Sequence, residues 1–249
     1  MGLSSNSLIH FTKDINLLKG ILKDNFRLKY CFENVYTEKN IYRGGIPMVS
    51  FCDIPLSEIK EHISKYGCYG IGLTKEWGIK NKLNPVLYLE ENSYLAQNFL
   101  EKIFETVLTD KGFDKTDENK IALADIFRYI KNYQADLERN GEKIENYRFS
   151  DEREWRYCPP LNIMHDNPFM ISKSKEKVLD KIDDYNKNIS KLKLNFSPND
   201  ITYIIIKSES EISEIIRFLE DSKGNSYSYN EVKRLTTRII TTDQIMSDF

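Results

Sequence analysis

An α+β fold is predicted by three features of the sequence: strand-like runs are spread along the whole chain, helical patterns are massed in its middle, and no repeat or linker interrupts it. The 249 residues read as one domain, 1–249, with a helical insertion at roughly 93–140. A chain of this length buries enough surface for a core without covalent staples.

Leu8-Ile9-His10-Phe11-Thr12 is a short strand-like start. Asp14 then caps a helix whose Ile15, Leu18 and Leu22 fall at helical spacing, with Asn25 as its stop. Gly44-Gly45 punctuates the approach to a second apolar run, Ile46 to Phe51. Pro55 opens a short helix carrying Ile59, Ile63 and Tyr66 on one face, and Gly67 closes it. Tyr69 to Leu73 and Pro85 to Leu89 read as strands.

From Ser93 to about Leu137 the pattern is helical and breaks near Gly112. Its stripes are Leu95, Phe99, Ile103 and Val107, then Leu123, Phe127 and Ile130. Asn140-Gly141 marks a turn, and Arg153 to Tyr157 reads as a strand ended by Pro159-Pro160. Lys173 to Lys193 is polar, a solvated helix or loop. Leu192 to Phe196 and Ile201 to Lys207 are apolar runs separated by the turn sequence Ser197-Pro198-Asn199-Asp200. Ser208 and Glu211 read as a capping box for a helix through Leu219, and Arg234 to Ile240 as a last strand.

Composition excludes several functions. Lys+Arg 36 against Asp+Glu 38 gives a net charge of −2, which argues against a globally basic nucleic-acid binder. At 40% hydrophobic and 12% aromatic, wholesale disorder is ruled out. The four cysteines, Cys31, Cys52, Cys68 and Cys158, form no C-x-x-C pair, so neither a disulfide frame nor a Cys-rich zinc site is expected. His62 and His165 lie in no ligand spacing, so no metal is expected. The first residues lack the basic and apolar regions of a signal peptide, and the longest aliphatic block, Ile201 to Ile206, is far short of a membrane span. The expectation is a cytoplasmic protein with no membrane partner. P-loop, dinucleotide-fingerprint and G-x-S-x-G patterns are absent.

Three places carry candidate chemistry. His10, beside Thr12 at the end of the first strand, places an imidazole where it can bond a ligand's ribose or carbonyl, although position alone favours a partly buried histidine bonded to backbone. In Asp151-Glu152-Arg153-Glu154-Trp155-Arg156-Tyr157, a strand period of two puts Glu152 and Glu154 on one face. Two carboxylates on one face repel and raise one pKa, as in acid/base sites, unless Arg153 or Arg156 acts as counter-ion. In Tyr66-Gly67-Cys68-Tyr69-Gly70-Ile71-Gly72, glycines allow close approach of a ligand or another backbone, and a tyrosine face can stack on a planar ring or fill a core. Cys52 has nothing local to lower its pKa and reads as a buried thiol.

Together these blocks resemble known families. The segments Ile46-Pro47-Met48-Val49 to Phe51-Cys52-Asp53-Ile54-Pro55-Leu56-Ser57, Tyr69 to Gly78, Pro85 to Tyr88, Asp151 to Arg156 and Asp200 to Ile205 resemble the AbiGi family, part of a two-gene abortive-infection system against phage. The opening Leu8 to Thr12 followed by Leu17 to Leu22 also looks like bacterial ADP-ribosyltransferase-like toxins such as DarT. The resemblance implies an ADP-ribosyltransferase-like mixed β-sheet core with NAD lying across a cleft. His10, with Thr12 beside it, would then hold the nicotinamide-side ribose, and Tyr69 would pack on the nicotinamide. Glu154 would bind the ribose 2′-hydroxyl and stabilise the oxocarbenium that forms as nicotinamide leaves. Glu152 would orient or deprotonate the acceptor, a nucleic acid or a protein.

Two functions follow from this resemblance. One is a phage-defence mono-ADP-ribosyltransferase using NAD as substrate, for which Glu154→Ala should abolish activity and leave the fold intact. The other is a non-catalytic antitoxin that binds a partner protein from a neighbouring gene through the helical region Ser93 to Leu137. A third reading, nucleic-acid binding through Lys173 to Lys193, is the weakest, because acids are mixed among its lysines.

Overall fold

Strand pairing in the computed structural model, which describes residues 4–107, 116–139, 142–171, 181–224 and 226–248, gives a mixed α/β architecture. The chain divides into two compact units. One gathers the segments up to Arg27, Ser50–Leu83 and Lys193 onward; the other is Leu28–Val49 with Asn84–Leu192.

In the first unit, strand Ser7–Thr12 runs antiparallel to Tyr69–Thr74, in register from Ser7↔Thr74 to Thr12↔Tyr69. Ile201–Ile206 pairs antiparallel with Tyr69–Thr74 on its other side, and parallel with Ile239–Thr241. The first three of these are runs that periodicity predicted. Ile9, Phe11, Cys52, Ile54, Ile59, Ile63, Ile205 and Ile245 form one core cluster. Cys52 is therefore a buried thiol, as its surroundings in the sequence suggest.

Helix Ile15–Asp24 starts where expected, because the Asp14 carboxylate accepts from the Asn16 amide, and it ends at Asn25 with φ 67°. Leu18 and Leu22 are its buried stripe. Helix Lys60–Tyr66 is closed by Gly67 at φ 118°, where a Cβ would lie 2.4 Å from the Thr12 carbonyl oxygen. Only glycine meets both conditions without strain.

Two expectations near the C-terminus are corrected. Ser208 makes no side-chain cap; the Glu211 carboxylate instead accepts from the Lys207 amide and the Tyr69 hydroxyl, ahead of helix Ile212–Lys223. The last strand is only Ile239–Thr241. A capping box between Ser228 and Glu231 starts helix Tyr229–Thr236, which takes Arg234 and buries Val232 and Leu235.

In the second unit, Lys29–Tyr36, a strand that periodicity missed, forms an antiparallel hairpin with Ile41 to Met48 of strand Ile41–Cys52, the last three residues of which belong to the first unit. Gly44 and Gly45 lie inside that strand rather than at its start. A Cβ on Gly45 would lie 3.2 Å from the Phe32 ring, which fills the space. Helices Tyr94–Val107 and Glu118–Arg128 lie where the pattern predicts helix; Ile103 and Phe127 are buried as expected, but Leu95 is exposed, and Ala96 and Leu100 are buried beside Ile103. Beyond Arg128 the structure departs from the expected helix. Ile130–Asn132 pairs parallel with Leu87–Leu89, and Ala135–Arg139 pairs antiparallel with Glu142–Tyr147. Val35, Ile46, Met48, Leu89, Leu100, Phe127, Ile130 and Phe169 are among the residues of this unit's core. The predicted break at Gly112, the turn at Asn140-Gly141 and most of Lys173–Lys181 lie outside the described residues; Ile182–Asn188 is helical.

Candidate functional site

The Glu152–Glu154 pair is built by two different backbone devices. Glu152 ends a 3-10 turn, Phe149–Glu152, and Arg153 takes the left-handed conformation at φ 44°. Glu154 then opens strand Glu154–Tyr157, on which Glu154 and Arg156 are the buried positions. The two glutamates therefore do not share a strand face, as a continuous strand from Arg153 would require. They converge all the same, on Lys131.

The Lys131 ammonium donates to Glu152 Oε2 and to Glu154 Oε2, both at 2.8 Å. Arg156 donates from Nε to Glu154 Oε1 at 2.6 Å and from Nη2 to Glu154 Oε2 at 3.1 Å, a bidentate pair. The same guanidinium reaches Glu33 Oε1 at 3.1 Å and the Arg128 carbonyl at 3.1 Å. Tyr147 donates its hydroxyl to Glu152 Oε1 at 3.1 Å, and the Tyr88 hydroxyl accepts from the Glu154 amide at 2.9 Å. The Phe149 ring lies 4.7 Å from the Lys131 ammonium. The Arg156 side chain has no exposed surface, and Glu154 retains 7%.

Electrostatics follow from this packing. Burial pushes the Glu154 carboxyl up, but Arg156 and Lys131 outweigh it and hold the group well below the usual carboxylate range. Burial likewise disfavours charge on Lys131, and Glu154, Glu152 and Glu33 overcome it, raising its pKa well above normal. The expectation that paired carboxylates raise a pKa is thus corrected for Glu154: two cations sit between and beside the acids. Truncation at Glu154 would remove one of two carboxylates from each cation, leaving Lys131 paired with Glu152 and Arg156 with Glu33. Arg156 was readable as a counter-ion from its two-residue spacing. Lys131 was not, because its segment reads as helix.

His10, Thr12 and Tyr69 lie on two paired strands of the first unit, His10 opposite Ile71. Thr12 is buried and pairs directly with Tyr69. His10 Nδ1 lies 2.8 Å from the Ser50 carbonyl, so that nitrogen carries the proton in the neutral ring. Phe26 and Phe51 flank the imidazole edge-on at 5.2 and 5.8 Å. Burial lowers the His10 pKa, against the raising effect of the Ser50 bond. The Tyr69 hydroxyl donates to Glu211 Oε1 at 2.8 Å, and its pKa is raised by burial and by that carboxylate. Glu152 and Glu154 belong to the other unit.

Tested against NAD, these residues as placed do not fit. Tyr69 is only 8% exposed and offers little ring face to a nicotinamide, while both Glu154 oxygens already accept from cations. Among the described residues no cluster of three or more His, Cys, Asp or Glu is arranged to hold a metal, and no helix is long and apolar enough to cross a membrane.

Comparison with known proteins adds a family. The model described as "Putative abortive phage resistance protein AbiGi, antitoxin" matches residues 24–207. A protein of Lactococcus lactis subsp. cremoris, "Abortive phage resistance protein AbiGi", is 30% identical over 259 aligned residues, which cover 96% of this chain and 98% of that protein. No solved structure matches the chain.

Proposed function

The chain belongs to the AbiGi family of abortive phage resistance proteins, and from that premise we propose that it is the antitoxin of a two-gene system, acting by binding a partner toxin rather than by chemistry at Glu154. The observation that carries this reading is the occupancy of Glu154. A carboxylate that stabilises a forming oxocarbenium must face the reacting sugar, whereas both Glu154 oxygens are engaged by Lys131 and Arg156 inside a buried cluster. The cluster instead fixes strand Glu154–Tyr157 to the segment carrying Lys131, a rigidifying role. The family description, which names an antitoxin, points the same way.

The test is co-expression with the product of the neighbouring gene, with growth and co-purification as readouts. Expected results are slow growth from the neighbour alone, rescue by this chain, and a stable complex of the two. Labelled NAD incubated with the purified protein and a cell lysate is the opposing test. Label transfer or nicotinamide release by the wild type, lost in a folded Glu154→Gln variant, would favour the ADP-ribosyltransferase reading and sink the antitoxin one.

A further inference from the structure

An open depression of about 550 Å3 lies on the surface of the first unit, beside strands Ser7–Thr12, Tyr69–Thr74 and Ile201–Ile206. Its walls include Lys75, Glu76, Thr202, Tyr203 and Arg238. Lys75 is neutralised, its ammonium 2.7 Å from the Asp53 carboxylate. Arg238 is not. Its guanidinium donates to the Ile201 carbonyl and, among the described residues, forms no ion pair with a carboxylate. Its charged neighbour is a second cation, Arg234.

Thr202 supplies an independent sign. Its hydroxyl oxygen is buried and has no hydrogen-bond partner among the described residues. The cause is local: pairing with Tyr69–Thr74 shifts register between Ile201 and Tyr203. That irregularity brings Thr202 Oγ1 to 2.8 Å, and Tyr203 Cδ2 to 2.9 Å, from where a Cβ on Gly72 would be. Gly72 is thus required by the close approach of the Thr202 and Tyr203 side chains. A 120° rotation about χ1 turns the oxygen away from Gly72.

We propose that this depression binds a phosphate-bearing small molecule of mononucleotide size, with Arg238 taking the phosphate, the Thr202 hydroxyl a polar edge and Tyr203 a planar ring. A guanidinium without a carboxylate partner matches phosphate in charge and in donor geometry. The volume far exceeds an inorganic phosphate and leaves room for a sugar and a base. Glu76 opposes an anion and sets the affinity from the other direction. This inference stands independently of the antitoxin reading.

The experiment is calorimetric titration and thermal unfolding of the full chain with AMP, adenosine and inorganic phosphate as probes. AMP is expected to bind saturably and raise Tm, since a ligand bound by the folded state stabilises it by mass action. Adenosine should bind at least tenfold more weakly. Arg238→Gln should weaken AMP about tenfold, the worth of one charge-assisted hydrogen bond, and Glu76→Gln should tighten it. Thr202→Val keeps the shape, removes the orphaned hydroxyl without threatening the fold, and should also weaken AMP. No saturable binding at millimolar AMP, equal binding of adenosine, or unchanged affinity in both Arg238→Gln and Thr202→Val would overturn the proposal.

Discussion

The Lys131 ammonium lies 2.8 Å from the Glu154 carboxylate, with both side chains buried. Breaking an isolated buried pair from one side costs about 3–5 kcal/mol; here the cost is smaller, because Glu152 still faces Lys131 and Glu33 still faces Arg156. Glu154→Gln keeps the shape and removes the charge, so it should lower unfolding free energy by about 1–3 kcal/mol, the worth of the charge-assisted hydrogen bonds it weakens. Lys131→Met should cost a comparable amount. The double variant should cost less than the sum, with a coupling of at least about 1 kcal/mol. Urea denaturation of the four proteins checks this, and strict additivity would show that the pair is not coupled.

Acid stability follows from the same carboxylate. Glu154 has its pKa depressed in the folded state, so its contribution is fully present above the unfolded value, about 4.3, and is lost as pH falls toward the lower folded value. The wild type should therefore lose stability steadily below about pH 4.3. Glu154→Gln, already less stable at neutral pH, should have a shallower acid limb. Parallel slopes for the two proteins in a pH series of urea midpoints would contradict the assignment.

His10 titrates in the opposite region. Burial lowers its pKa below 6.5, so the folded state favours the neutral ring with Nδ1–H donated to Ser50. A depressed histidine pKa contributes stability above the unfolded value, and that contribution fades as pH falls through the folded one. Between about pH 6.5 and 5, stability should decline in the wild type and decline less in His10→Gln. Imidazole resonances followed by NMR should place the His10 midpoint below 6.5; a midpoint above it would refute the buried neutral ring.

How much of this was legible in the sequence depends on whether a residue's partner lies nearby in the chain. Ile201–Ile206 and Tyr69–Thr74 are strands whose own apolar runs announce them, and Asp14 caps its helix within two residues. Glu154 and Arg156 face the same way by strand period alone. Lys131 was hidden because Leu123, Phe127 and Ile130 continue a helical stripe, while pairing with Leu87–Leu89 draws Ile130–Asn132 into a strand. Lys29–Tyr36 was missed for a related reason. Its mixed polar pattern becomes a strand only through the hairpin with Ile41–Cys52. Glu211, which takes the Tyr69 hydroxyl from 142 residues away, left no local trace.

Two glycines give a contrast in backbone energetics. Gly67 sits at φ 118°, and a Cβ there would meet the Thr12 carbonyl oxygen at 2.4 Å. An alanine at that position must both leave its preferred conformations and displace backbone that belongs to strand Ser7–Thr12. Gly67→Ala should thus destabilise by about 2–4 kcal/mol. Gly20 lies exposed in helix Ile15–Asp24, with nothing within 4 Å of an added Cβ. There the substitution reduces the freedom of the unfolded chain without strain, so Gly20→Ala should stabilise by about 0.5–1 kcal/mol. Thermal melts of the two variants beside the wild type read both signs at once. A neutral Gly67→Ala would mean that the turn after Tyr66 relaxes freely, and that closure of helix Lys60–Tyr66 does not depend on the contact with Thr12.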